Sequence, residues 1–543
     1  MDSAFSIQEA IAIRGGRILE AGESAALLKR HRGLNTRVID LRGRMVLPGL
    51  IDSHIHALPA GLSEYRAPLP RLRSFDDIRR YLRDQAAKTP KGQWIVVPRT
   101  FPTRLREMRM PSKELLDAVT DHPVLLDASY VSVVNSYALK RSGVTRHTPD
   151  PPGGEIGKDR NGEPNGILRN ALSVIKGAPD TEHAEQFTHA EKLDALEQML
   201  KRYLAAGLTT VGDRAVLPPD VDLYRELKAR RRLPVRAILT WRLPTQAPTG
   251  GLVSEIRESD WVTNQGDDWL KFGAFKVGLD GGMTIGTAYQ RHPYGPFGAQ
   301  LYGQPDPGNR GQLFVPPDKL LAVMRAARDK GWQLTAHSQG GGAIDTLLDV
   351  LETLDREKPL RPARPLLIHA SFQSPDAIAR MRRLGILADV QPIWLYGDGP
   401  ALEKVFGQDG MRYFIPLRSY RHSGIVLAGG SDHMTGFDRN TAINAYNPFL
   451  GMWIAIARRM SNGEVLFPEE RLSRKEALEM YTTGPAYMQF NEKNRGSLEP
   501  GKLADMVVID RDYLTCPEDE IKNIEPLLTI LDGRVAYQAP AGR

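Results

Sequence analysis

Apolar and polar residues alternate in a strand-like rhythm at both ends of the chain. Ile11-Ala12-Ile13-Arg14 runs into Gly15-Gly16 and on through Arg17-Ile18-Leu19-Glu20-Ala21-Gly22, the pattern of a hairpin. Arg37 to Leu41 and Met45 to Asp52 read as further strands. The tail has the same texture in Ala504 to Asp510, Leu528 to Leu531 and Arg534 to Tyr537. The two ends therefore predict one small β-sandwich domain, built from residues 1–48 and 491–543.

Between them, in 49–490, short apolar runs take turns with helical patterns such as Lys319 to Lys330 and Asp376 to Arg383. The runs are Leu208 to Asp213, Val235 to Leu239, Phe272 to Val277, Gln333 to His337, Leu366 to His369, Ile386 to Val390 and Ile425 to Ala428. With the strand that ends at His56 they make eight, which predicts an α/β fold, a (β/α)8 barrel. Residues from about 58 to 190 break the rhythm and read as an insertion after the first strand, placed to cover the active face.

Composition narrows the function. Of 543 residues, 41% are hydrophobic and 25% charged, which excludes a disordered chain. The net charge of +7 is dispersed, with short clusters such as Arg230 to Arg232 and Arg458-Arg459 expected on solvated helix faces. No aromatic-interleaved basic stripe speaks for nucleic acid. The lone cysteine, Cys516, excludes an intrachain disulfide and a multi-cysteine metal cage. No apolar run approaches a membrane span, and Met1 to Ser6 lacks the features of a signal peptide, so a cytoplasmic protein is expected as given.

The chemistry lies at the predicted strand ends. His54 and His56 are two apart, so on a strand both imidazoles face one way and suit zinc or a similar divalent ion. His337, His369 and Asp432 each follow or end another strand, and Lys276 lies in the fourth. In a parallel barrel all these ends meet at one face, where four histidines, a carboxylate and a lysine could surround a metal pair.

On these residues the chain resembles the amidohydrolase superfamily, most closely amidohydrolase family 3, which includes N-substituted formamide deformylase. The likeness runs from Ala12 to Ile18 through Val134 to Leu139 and Gly162 to Leu168 to Gly496 to Asp505. It implies that His54 and His56 bind the more buried of two divalent metals, zinc being the expected ion, and that His337 and His369 bind the second. It implies that Lys276 bridges them as a carbamate formed from carbon dioxide, and that Asp432 binds metal and shuttles a proton. The implied activity is hydrolysis of a C–N bond in a small amide, an N-acyl or N-formyl amine. A homodimer is expected, with neither nucleic acid nor membrane as partner.

Departures from the family pattern bear on substrate choice. Tyr130 stands where the family has a histidine, and its phenol could assist at the substrate oxygen. Gly341 replaces an acidic residue, Ile368 replaces the glutamate before His369, and His433 after Asp432 is atypical. Gly281 to Thr284 are expected to shape the pocket, with Trp394 and Tyr396 as pocket or packing residues. Deamination, or ester and lactone hydrolysis at a mononuclear site, stays open on the same scaffold, and a non-enzymatic binding role is the remoter alternative. Family members also carry an extra strand before the equivalent of Met1, so upstream residues are expected to be missing, and whether a secretion signal was among them stays open.

Overall fold

Eight parallel strands follow one another round a nearly closed ring. They are β1 (Leu50–Ile55), β2 (Leu208–Val216), β3 (Arg236–Leu243), β4 (Leu270–Gly278), β5 (Gln333–Ser338), β6 (Leu366–His369), β7 (Leu387–Val390) and β8 (Leu427–Gly429). This computed structural model describes residues 2, 4–179 and 187–540. Met1, on which the expectation of upstream residues turned, and residues 180–186 of the insertion lie outside the described residues.

The strands read as continuous apolar runs because both faces are covered. Ala274 meets Leu366, Ile368, Leu387 and Ala428 inside the ring, while Phe275 and Val277 join the larger core outside it. Outer helices such as Pro317–Lys330 bury Leu320, Val323, Met324 and Ala327, and that helix ends at Gly331 in the left-handed region (φ 100°). β1 and β8 meet where Asp432 N–H donates to His54 O (2.7 Å) and His56 N–H to His433 O (2.8 Å). A Cβ at Gly430 would lie 2.7 Å from His54 Cβ, so only glycine lets the two strands approach this closely.

The termini form the expected small sheets. Val46–Pro48, Met506–Ile509, Pro526–Leu531 and Arg534–Gln538 make a four-stranded antiparallel sheet, and Ala10–Arg14 pairs with Arg17–Gly22 in a hairpin. Ile18 of the hairpin packs with Met506, Val508 and Ile530 of the sheet. The insertion carries a five-stranded sheet of its own, Ile95–Val97, Val124–Asp127, Val131–Val134, Pro164–Arg169 and Glu155–Lys158 in spatial order.

Two expectations fail. Arg37 to Leu41 forms no strand, because Val38 and Ile39 are exposed and find no partner strand to cover them. Arg458 is not on a solvated face: it is buried just past the helix Pro448–Ala457, and its guanidinium donates to the carbonyls of Phe414, Ile415 and Leu466. Those carbonyls satisfy a cation that would otherwise be costly to bury. Arg230 to Arg232 are exposed as expected.

At the base of the barrel Arg236, at the start of β3, grips Asp505 in a two-pronged ion pair (2.7 and 2.9 Å), both side chains being nearly fully buried. Asp505→Ala should leave that buried guanidinium with only the longer contact to Asp532 (3.7 Å) and the Asp268 carbonyl, and cost ~3 kcal/mol. Denaturant unfolding measures it, and a loss below ~1 kcal/mol would mean that solvent reaches the pair.

Candidate metal centre

Period-two alternation delivers most of the polar side chains to the mouth of the ring. Lys276 follows inward-facing Ala274 by two residues on β4, and His337 lies one residue beyond outward-packed Ala336 on β5. His369 is the exception. Ile368 already faces inward, so regular alternation would turn His369 away. A left-handed φ of 72° at His369, followed by 46° at Ala370, breaks the alternation and brings the imidazole to within 2.9 Å of His337 (Nε2 to Nδ1). Asp432 also has a left-handed φ, 54°. Such strain in residues with side chains gathers at functional sites.

His54 Nε2 and His56 Nε2 approach the same oxygen of Asp432, Oδ1, at 3.3 and 3.2 Å. The three ligand atoms lie within 4.8 Å of one another, and His54 Nε2 is buried without a hydrogen-bond partner. Two imidazole nitrogens and a carboxylate oxygen are the donor set of a divalent transition metal such as zinc. The second pair has a related feature. His369 Nδ1 faces Gln391 Oε1 (2.7 Å) and His337 Nε2 faces Gly281 O (3.2 Å). If each of those nitrogens donates to its carbonyl, the lone pairs of His369 Nε2 and His337 Nδ1 face each other, an arrangement a cation would relieve.

Burial keeps three of these rings, His54, His337 and His369, neutral. It pushes His54 and His369 well below the ordinary histidine range and His337 to about 3, with the Lys276 charge acting in the same direction on each. Burial also pulls the Lys276 ammonium down to about 8, against the opposing pull of Asp432. His56, Lys276, His337, His369 and Asp432 all border one cavity of about 990 Å³, and Tyr130 enters it from the insertion. The Tyr130 ring stands edge-on to His337, with centroids 5.6 Å apart. Gly282, Thr284 and Trp394 line the same cavity, whereas Tyr396 packs against Trp453.

His433 is a scaffold residue. Its ring is buried between Tyr203 OH (2.8 Å to Nδ1) and Gly436 O (2.8 Å to Nε2), and burial holds it near a pKa of about 3. Several buried carboxylates escaped the sequence. Asp280 accepts from the N–H groups of Tyr289, Gln339 and Gly340 and so pins the loop after β5, and burial raises it to about 7. Asp52 accepts from the N–H groups of His54 and Ser431, tying β1 to β8. Asp389, on β7, pairs with Arg214 on β2 (2.9 Å). Only the inward phase of Asp389 on its strand could have marked any of them in advance.

Comparison with known proteins agrees with this architecture. A profile described as "Amidohydrolase family" matches residues 37–537. N-substituted formamide deformylase of Arthrobacter pascens is 30% identical, with 99% of this chain and 96% of that protein aligned. Protein LONG AFTER FAR-RED 3 of Arabidopsis thaliana is 29% identical, covering 94% and 85%. An uncharacterized metal-dependent hydrolase from Pyrococcus horikoshii shares the fold at a TM-score of 0.67 and 23% identity, covering 94% and 95%.

His433→Gln should lower the melting temperature and leave metal content unchanged; a loss of metal would place His433 among the ligands. In the unfolded chain this histidine protonates near ~6.5, and in the folded one near about 3. The stability it contributes is therefore full above pH 6.5 or so and shrinks as the pH falls. The gap between native protein and variant should narrow from pH 7 to pH 5, and a gap that widened would contradict the assignment.

Proposed function

The chain belongs to the amidohydrolase family, and on that premise we propose that it is a metal-dependent hydrolase cleaving the C–N bond of a small amide, an N-acyl or N-formyl amine. The observation that carries the proposal is the approach of His54 Nε2 and His56 Nε2 to one oxygen of Asp432. These three residues would hold one divalent ion, zinc by donor chemistry, and His337 and His369 a second. Lys276 would join the two as a carbamate. At a pKa of about 8, roughly a tenth of its amine is neutral at pH 7. The neutral Nζ attacks carbon dioxide, a C–N bond forms as a proton leaves the nitrogen, and an anionic group with two oxygen donors results.

Divalent ions bound there supply Lewis acidity toward a carbonyl and make water acidic enough to attack near neutral pH. Asp432 accepts the proton of the attacking water and delivers it to the leaving nitrogen as the C–N bond breaks, giving a carboxylic acid and an amine. The Tyr130 phenol donates a hydrogen bond to the carbonyl oxygen. The predominantly apolar walls of the cavity, among them Leu62, Val96, Phe101, Ile285 and Trp394, exclude water from the reacting groups and receive the substituent.

A panel of N-formyl, N-acetyl and longer N-acyl amines, beside esters and deaminase substrates, tests the bond class. Turnover confined to the esters or deaminase substrates would overturn the amide assignment. Asp432→Asn should cut kcat by ~10²–10⁴-fold. A variant with normal kcat would remove Asp432 from proton transfer.

A further inference from the structure

Behind the histidines, on the side away from the cavity, lies a buried polar cluster that the proposed reaction does not use. Asp389 reaches Ser53 Oγ (2.7 Å) with Oδ1 and Arg214 Nη2 (2.9 Å) with Oδ2. Arg214 is itself held by Ser53 O (2.7 Å) and Thr240 Oγ1 (3.1 Å). Two residues on, Gln391 turns Oε1 to His369 Nδ1 (2.7 Å), while its Nε2 lies 3.2 Å from Asp389 Oδ1 and 3.3 Å from both Asp389 O and His54 Nδ1. Asp389 Oδ2, buried and paired with Arg214, also stands 4.0 Å from His54 Nδ1.

An ion pair this deep is a poor source of stability, since an apolar pair of the same volume would often do as well. Its position suggests a different use. We propose that Asp389 and Gln391 are positioning residues, Asp389 taking the Nδ1 proton of His54 and Gln391 that of His369, so that each ring presents its Nε2 lone pair to the metal.

The donors and acceptors fit this arrangement when both Gln391 Nε2 hydrogens go to Asp389, at O and Oδ1, and none to His54 Nδ1. Gln391 Nε2 donates to Asp389, which orients Oε1 toward His369. Asp389 Oδ2, paired with Arg214 on one side, keeps a second lone pair for His54 Nδ1, and closing their 4.0 Å separation by about 1 Å makes a hydrogen bond. Arg214 fixes Asp389 in place, and a carboxyl acceptor held there raises the ligand basicity of the imidazole it serves. One short segment, Asp389 to Gln391 at the end of β7, would thus set the tautomer of a ligand in each half of the site.

This inference rests on the metal-dependent assignment above, and its test is binding of cobalt(II), read from the visible bands of the bound ion and by competition with a chelator. Asp389→Asn and Gln391→Leu should each weaken cobalt binding about 10–100-fold. Gln391→Glu, whose protonated carboxyl donates to Asp389 and still accepts from His369, should restore the affinity and the spectrum. Gln391 is in no ion pair, so its variants report even where Asp389→Asn fails to fold. Variants that melt earlier when metal-free but bind cobalt like the native protein would reduce both residues to structural roles and overturn the inference. A native protein that takes up no cobalt would overturn the metal-dependent assignment and this inference with it, whereas native uptake with unchanged variants overturns this inference alone.

Discussion

Four imidazoles crowd the mouth of the barrel where water is largely shut out, and burial denies three of them, His54, His337 and His369, the protonated form. A neutral ring brings one N–H and one lone pair, so two rings satisfy each other only where the N–H of one meets the lone pair of the other. Outer carbonyls face His369 Nδ1 and His337 Nε2, and once those are served the remaining lone pairs turn inward upon each other. His54 Nε2 makes no hydrogen bond and meets Asp432 Oδ1 at 3.3 Å. Buried polar groups left in this state cost ~1–3 kcal/mol each, a cost that a cation held by these candidate ligands would offset.

The barrel bears the strain that such a site requires. His369, Ala370 and Asp432 all occupy left-handed backbone conformations, each at a cost of about 1–3 kcal/mol. Gly430 allows β8 to close on β1, and Asp52 bridges the same seam by accepting from His54 N–H and Ser431 N–H. Asp280 does the corresponding work behind β5, and Asp389 behind β1 and β7. Three acidic side chains, none bordering the cavity, thus hold the segments that carry the candidate ligands.

What was legible in the sequence was whatever follows from local periodicity. The eight strands, the terminal sheets and the convergence of His54, His56, His337, His369 and Asp432 on one face all come from apolar runs and from the geometry of a parallel barrel. Long-range partners were not legible. Arg458 looks like a surface arginine until the carbonyls of Phe414, Ile415 and Leu466 come round it. His433, next to a candidate ligand, could not be told from a ligand until Tyr203 and Gly436 were seen to take both its nitrogens. Arg37 to Leu41 alternates like a strand, but pairing needs a neighbouring strand, and the four-stranded sheet ends at Val46–Pro48. The local sequence of Asp389 shows only an inward-facing strand position, because its role depends on Arg214, 175 residues earlier in the chain (389 − 214).

The central claim is that the histidines and Asp432 bind metal and that Lys276 completes a binuclear site. Elemental analysis of metal per chain tests it most directly, on native protein and Lys276→Met produced with zinc and bicarbonate. The account predicts about two metals in the native protein and fewer in the variant. About one metal in both would contradict the role given to Lys276, and none in either would contradict the metal centre itself.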